Sequence, residues 1–156
     1  MPDRPWYESV PIPKLMLDAR GSYGNLSRAA LAEAGFDDVP DNGGFVLARL
    51  DEAGSEFTPQ GEAVSDLRRS KQRSSQLIDT LVLRGYLERR NDPDDRRRMG
   101  VRLTERGRAA AAAIQAAVVT IDAELEQRLT PEELHGLRAG LAALAEIREQ
   151  RGDDGV

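Results

Sequence analysis

The spacing of hydrophobic positions predicts a chain that is mainly α-helical. Apolar residues recur at intervals of three and four, which places them on one face of a helix. Gly35 and Gly85 follow apolar stretches and mark helix ends, and Thr58-Pro59 has the capping-residue-then-proline order of a helix start. The predicted helices cover residues 14–33, 44–51, 58–67, 71–84, 105–129 and 131–150.

A β-hairpin is predicted between the fourth and fifth helices. Residues 86–90 and 99–103 have strand-like patterns, and residues 91–95 between them are rich in turn formers. Three consecutive arginines, Arg96 to Arg98, would lie at the hairpin tip. The order helix, short turn, helix, hairpin is that of a winged helix-turn-helix, so the predicted fold class is mainly α with a small β-hairpin wing.

The helix predicted at 71–84 has two dissimilar halves. Its apolar residues, from Leu77 to Val82, all lie in the C-terminal half. The N-terminal half, Lys71 to Gln76, is wholly polar and contains no acid, and Ser70 before it is a good N-cap. A helix whose C-terminal half is buried and whose N-terminal half can form hydrogen bonds suits insertion into a groove. We call this polar half, Lys71 to Gln76, the nose of the helix.

Charge is distributed unevenly along the chain. The formal net charge is −5, which by itself argues against a nucleic-acid partner. Residues 66–108, however, hold thirteen basic and seven acidic residues, a net charge of +6, whereas the rest of the chain has a net charge of −11. This distribution fits a localised site for a polyanion, and a solvated arginine-rich face is the alternative.

Composition excludes several classes of protein. The chain has no cysteine, which removes disulfides, thiolate metal sites and thiol chemistry. No apolar run reaches the roughly 18 residues of a membrane span, and the first residues lack the pattern of a signal peptide, so no membrane association and a cytoplasmic location are expected. Twenty alanines indicate close helix packing and a partner subunit.

Enzymatic activity is not expected. The one histidine, His135, is predicted on the exposed side of the last helix without a clustered partner. Sequence motifs of nucleotide, hydrolase, zinc-protease or calcium sites are absent. We therefore predict no catalytic residue, no metal ligand and no cofactor.

Four segments together resemble the MarR family of bacterial transcriptional regulators. They are residues 81–89 (LVLRGYLER), 92–97 (DPDDRR), 101–107 (VRLTERG) and 129–134 (LTPEEL), in that order and spacing. The resemblance implies a homodimer in which helices at 14–35 and 105–150 form the dimerisation region. Residues 44–104 would form the DNA-binding lobe, 1–13 an extended N-terminal tail and 151–156 a polar tail.

The same resemblance implies which residues meet double-stranded DNA. The helix that starts at Lys71 would enter the major groove, and an arginine of the wing would enter the minor groove, held by an ion pair in an Asp-x-Arg pattern that here is Asp95 and Arg97. Hydroxyl, amide and guanidinium groups suit base edges, and cations suit phosphates. The predicted DNA-binding residues are Ser70, Lys71, Gln72, Arg73, Ser74, Ser75, Gln76, Arg96, Arg97 and Arg98, with Asp95 in the positioning role and Arg102 as a further cation facing phosphate.

One departure from the family concerns its effector cavity. The family often has a glutamine and an aromatic residue before the second helix, where this chain has Gly43 and Gly44. The change could widen a cavity for a small-molecule effector or be loop variation without effect. The predicted function is a sequence-specific regulator, a ligand-responsive repressor on a pseudo-palindromic operator. The alternatives are a sequence-tolerant architectural DNA-binding protein without an effector, and a protein-interaction module that has lost DNA binding.

Overall fold

A computed structural model describes residues 5–67, 70–92 and 94–153. The chain divides into two compact units, residues 1–118 and 119–156. The first unit is larger than the predicted DNA-binding lobe, because α1 and the start of the long fifth helix belong to it. Its helices and strands, with those of the second unit, are α1 (Ile12–Glu33), α2 (Gly43–Ala53), β1 (Thr58–Pro59), α3 (Gln60–Ala63), α4 (Lys71–Leu83), β2 (Leu87–Asn91), β3 (Met99–Leu103), α5 (Glu105–Arg128) and α6 (Pro131–Asp153).

The predicted fold class is confirmed, and the wing contains one strand more than predicted. The helix predicted at 58–67 is shorter: α3 begins at Gln60 with Pro59 as its N-cap, and a 3-10 turn follows at Ser65–Leu67. Thr58 and Pro59 themselves form the short strand β1, which pairs antiparallel with Val101 and Gly100 of β3. The sheet order is β1-β3-β2. A Cβ atom at Gly100 would lie 2.6 Å from the Thr58 carbonyl oxygen, so the absence of a side chain there permits this pairing.

The N-terminal segment, which was predicted to be extended, contains a short helical turn. Trp6–Ser9 forms a 3-10 turn, in which Glu8 N–H donates to the Pro5 carbonyl at 3.1 Å. Helix α1 then begins at Ile12, two residues earlier than predicted, because Pro13 occupies the first turn, where a missing N–H costs nothing. At the other end, α6 continues to Asp153, so part of the predicted polar tail is helical.

The core of the first unit joins the helices of the lobe to the sheet. It is formed by apolar residues from both the helices and the strands, among them Leu47, Ile78, Leu81, Leu87 and Val101. Helix α4 contributes only its C-terminal half, as its pattern predicted, and its N-terminal half is left at the surface. This packing fixes the direction in which the polar nose of α4 points.

The first turn of α5 packs against the turn that ends α4. The Thr104 hydroxyl donates to the Gly85 carbonyl at 2.6 Å and accepts from Gly107 N–H at 3.0 Å, which caps the helix. Gly85 has a φ of +74°, the left-handed conformation of a helix C-terminus. The two sequence segments 81–89 and 101–107 are therefore one packing unit in three dimensions.

A polar cluster attaches the linker between α1 and α2 to the packed segments 81–89 and 101–107. The Tyr86 hydroxyl and the Arg106 guanidinium both donate to the carboxylate of Asp38, with Arg106 Nη2 at 2.9 Å from Oδ1. Arg84 donates to the Asp38 carbonyl, and Arg106 lies 4.6 Å from the centroid of the Tyr86 ring. The Tyr86 hydroxyl bond lowers the pKa of Asp38 below the ordinary aspartate value, and Arg106 acts in the same direction.

We expect Tyr86→Phe to reduce stability in a pH-dependent way. At pH 7 the variant should lose about 1 kcal/mol, the typical net contribution of one hydrogen bond. Because the folded-state pKa of Asp38 is lowered, its stabilisation is complete above the ordinary aspartate pKa and is lost as the pH falls through the folded value. In urea titrations, the difference between wild type and variant should therefore shrink as the pH falls below the ordinary aspartate pKa. A difference that is constant with pH would contradict this role for Asp38.

The second unit contains the end of α5 and helix α6. Helix α6 starts with a capping box, in which Glu133 Oε2 accepts from Thr130 N–H at 2.8 Å and Thr130 Oγ1 accepts from Glu133 N–H at 3.2 Å. These bonds from Thr130 lower the pKa of Glu133. The spacing of apolar residues predicts a stripe on α6 from Leu134 to Ile147, and most of this stripe is not covered. Leu134 is half-buried, and the other four members are each about two-fifths to one-half exposed, namely Leu137, Leu141, Leu144 and Ile147.

Membrane-spanning helices are not found among the described residues. No helix in that part of the chain combines sufficient length with sufficient hydropathy to cross a bilayer.

Candidate nucleic-acid interface

The exposed nose of α4 carries most of the predicted DNA-binding residues. Ser70 caps the helix, its Oγ accepting from Arg73 N–H at 3.3 Å, as predicted from the sequence. Lys71, Gln72 and Arg73 are exposed, and Ser74 and Ser75 are half-buried. With Gln76, they present cationic, amide and hydroxyl groups from one turn and a half of helix, a set that can reach base edges and phosphates.

The wing tip is held by two aspartates. Asp92 is buried; its carboxylate accepts from Asp94 N–H at 2.9 Å and forms an ion pair with Arg98 at 3.3 Å. Asp95 accepts from Arg97 N–H at 3.0 Å. The expected contact of Asp95 with Arg97 is thus made to the backbone amide, and none of the ion pairs among the described residues joins their side chains.

The cations of residues 66–108, here called the basic block, fall into two groups: those that pair with carboxylates and those that do not. On the sheet and on α5, arginines bind acids: Arg89 binds Asp79, Arg90 binds Glu88, and Arg106 binds Asp38. Four exposed cations form no ion pair with an acid of the described residues: Lys71 and Arg73 on α4, and Arg96 and Arg97 at the wing tip.

 Two further arginines, Arg84 and Arg108, donate to backbone carbonyls instead.

Arg102 does not fit the phosphate-facing role that the sequence suggested. Its guanidinium binds both Glu88 and Glu56, and its side chain is only 28% exposed. The bond from Arg102 also lowers the pKa of Glu88, so the pair stays ionised. Arg102 therefore holds β3 to β2 and to the segment before β1, and its charge is already neutralised inside the wing.

A cavity of about 830 Å³ lies in the first unit, apart from the exposed nose of α4. It is bounded by α1, by the linker at 39–42, by α2 and by Ile114 and Val118 of α5. Gly44 lines it, and a Cβ atom there would lie 3.2 Å from Ile114 Cδ1. Gly43 is buried elsewhere, against Pro40 and Leu81. Of the two glycines that depart from the family pattern, only Gly44 therefore affects the size of the cavity.

Metal binding finds no support in the described part of the chain. No group of three or more histidine or acidic residues is arranged there to hold an ion. His135 is exposed on α6, as the sequence predicted.

The sequence analysis did not identify the acidic residues that hold the wing and the end of α4 in place. Asp92, Glu88 and Glu56 organise the wing, and Asp38 anchors the linker beside the end of α4. Only the role of Asp92 could have been inferred from the sequence, because an aspartate that begins a turn after a strand commonly accepts a hydrogen bond from the backbone two residues on. The partners of Asp38 and Glu56 lie 46 or more positions away in sequence, beyond the reach of local patterns.

Comparison with known proteins identifies the lobe. Residues 39–98 match the family model described as MarR family. Among curated proteins, no sequence relative matches the chain.

Solved structures share the fold over most of the chain. The DNA complex of MepR from S. aureus has 20% identity and a TM-score of 0.72, with 88% of this chain and 98% of that chain covered. Wild-type MarR from E. coli in its apo form has 23% identity and a TM-score of 0.64, with 86% and 97% covered. At these identities the likeness establishes the fold.

The residues matched by the family model include α4 and β2, and the shared fold extends over most of the chain. The family consists of DNA-binding transcriptional regulators rather than enzymes. Residues 39–98 of this chain match the model of the MarR family, and the chain shares its fold with the solved structures of MarR and MepR.

Proposed function

We propose that the chain is a ligand-responsive repressor that binds a pseudo-palindromic operator as a homodimer. The observation that carries DNA binding is that four cations of residues 66–108 lie on the two exposed elements without an ion pair to a carboxylate of the described residues: Lys71 and Arg73 on the nose of α4, and Arg96 and Arg97 at the wing tip. The arginines of the sheet, Arg89, Arg90 and Arg102, are paired with acids within the protein. Unneutralised cations are those that release counterions when they meet phosphate.

The two elements have different roles in this proposal. Arg73 and the polar residues beside it, from Ser70 to Gln76, read base edges in the major groove. Arg96, Arg97 and Arg98 at the wing meet the minor groove, where a narrow width strengthens the negative potential. Asp95 positions this tip through its bond to the Arg97 backbone amide, which limits the conformations of the turn before DNA is bound.

The homodimer is supported by uncovered apolar faces on both units. In the first unit α1 exposes Ile12, Met16 and Leu17, and in the second unit α6 exposes its leucine stripe. A two-fold dimer would present two α4 helices to half-sites about 34–36 Å apart, one turn of DNA. MepR, which shares the fold, has been solved as a DNA complex.

The ligand response is supported by the cavity beside the lobe. Its wall at 39–42 continues from Asp38, which is bonded to Arg84 at the end of α4. A molecule that displaced this wall would act on the helix that reads DNA. Repression follows if the bound dimer blocks a promoter and the ligand-bound dimer no longer matches the half-site spacing.

Selection of bound sequences from a random duplex pool tests the proposal. We expect a clean inverted repeat, with half-sites separated by one helical turn. A sequence-tolerant architectural protein would yield no consensus, and an interaction module without DNA binding would retain nothing from the pool.

Arg73→Ala is expected to relax specificity. Loss of a base-reading arginine should cost about 1–3 kcal/mol on the selected operator and much less on random DNA. Arg128→Ala is the matched control, since it removes the same charge from an exposed position on α5. The measurement is a competition titration of operator against random duplex. Equal losses on both duplexes would assign Arg73 to phosphate contact instead.

A further inference from the structure

An exposed aromatic pair precedes the first long helix. Trp6 is 71% exposed and Tyr7 is 51% exposed, and their rings meet edge to face with centroids 6.0 Å apart. The pair lies in the 3-10 turn, where Ser9 Oγ donates to the Trp6 carbonyl at 2.9 Å. A tryptophan and a tyrosine presented together on an ordered turn form a large, mainly apolar surface.

The surface continues onto α1. Ile12, Met16 and Leu17 are exposed there, and the cation between them, Lys14, is paired with Asp18 at 2.6 Å. Residues 5–20 hold two basic and two acidic residues, so they lack the positive charge that would attract DNA or an anionic membrane. Their chemistry fits a partner with an apolar, uncharged face.

We propose that Trp6 and Tyr7 form an aromatic clasp that packs on the helical base of a second copy of this chain. The proposal rests on the homodimer proposed above and adds a contact to it. A second copy supplies a suitable face, because α6 exposes Leu137, Leu141, Leu144 and Ile147 on one stripe.

The area that a stable dimer needs favours this partner. A specific interface buries on the order of 800 Å² on each side. A fully buried aromatic side chain covers roughly 150–250 Å². Because Trp6 is 71% exposed and Tyr7 is 51% exposed, docking of this pair would add on the order of 200–300 Å². The clasp would therefore supply a substantial fraction of the required area.

The clasp is already ordered before it binds. Pro5 and Pro11 flank the turn and have φ values of −52° and −58°, and Val10 N–H donates to the Tyr7 carbonyl at 3.2 Å. A preformed turn loses less conformational entropy on docking than a random tail would. Trp and Tyr are also enriched among the residues that dominate interface energies.

Trp6 is the only tryptophan of the chain, so its fluorescence reports the clasp directly. The experiment combines sedimentation with acrylamide quenching on the full chain. Leu141→Glu, which places a charge in the α6 stripe, provides the monomeric reference. In the wild-type dimer we expect a blue-shifted emission and a quenching constant several-fold smaller than in this monomer.

Mass and fluorescence together separate the two proposals. A dimer whose Trp6 is quenched as readily as in the monomer would overturn the clasp and leave the homodimer intact. A wild-type chain that sediments as a monomer at micromolar concentration would overturn both.

A second pair of variants tests the contribution of the clasp to affinity. Trp6→Ala with Tyr7→Ala should raise the dimer dissociation constant by about 30-fold or more, the effect of removing an interface hot spot. Leu83→Ala is the control, because Leu83 is 88% exposed at the end of α4 and lies outside the proposed base. An unchanged dissociation constant in the double variant would reject the clasp.

Discussion

Gly107→Ala is expected to destabilise the protein by about 3 kcal/mol, a large fraction of the stability of a small domain. A Cβ atom at this position would overlap the carbonyl oxygen of Tyr86 and come within 3.1 Å of Leu103 Cδ2. The obstacle is backbone held in place by two bonds, from the Thr104 amide and the Thr104 hydroxyl, so it cannot move as a flexible side chain would. Relief therefore requires the first turn of α5 to separate from the end of α4.

Thermal unfolding measures this effect, with a decrease in Tm of about 10 °C expected. Gly61→Ala is the matched control, since Gly61 lies in α3 of the same unit and nothing lies within 4 Å of its added Cβ. That variant should be neutral or slightly more stable, because alanine favours helix. Similar losses in both variants would mean that the close approach at Gly107 is not the cause.

DNA affinity is expected to fall steeply with salt, although the protein as a whole is acidic. If about six to ten phosphates are neutralised per dimer, affinity should fall about 10³–10⁵-fold between 50 and 200 mM salt. The unneutralised cations on α4 and the wing supply this effect, and the net negative charge of the rest of the chain keeps the contact local. Operator titrations at several salt concentrations give the slope, and a flat response would reject a phosphate-binding role for the basic block.

Two arginines of the wing provide an internal comparison for this slope. Arg97→Gln should lower it by about one unit per site, because Arg97 is exposed and no carboxylate of the described residues pairs with it. Arg102→Gln should leave the slope unchanged, since Arg102 is neutralised by Glu88 and Glu56.

Asp95→Ala should weaken binding although it removes a negative charge near phosphate, because the tip must then be ordered on binding. Tighter binding by this variant would make Asp95 a turn residue only.

Local chemistry predicted the elements whose signals are contained within a few residues. The cap at Ser70, the polar nose of α4 and strand β3 all agree with expectation, since each depends on neighbours only a few positions apart. The strand at Thr58 and Pro59, directly before the helix start at Gln60, was not predicted, because its hydrogen-bonding partners lie more than forty positions away on β3. Only the fold reveals that a glycine at position 100 admits it.

The sequence by itself determined the fold class, the family resemblance and the two basic elements, because periodicity, caps and turn formers are local properties of the chain. The tertiary structure decided which cations remain available. Arg97 and Arg102 are equivalent in sequence terms, both arginines of the wing, yet Arg102 meets Glu88 and Glu56 while Arg97 remains exposed at the tip. Charge neutralisation depends on distances between atoms, and distances between residues far apart in sequence exist only once the chain has folded.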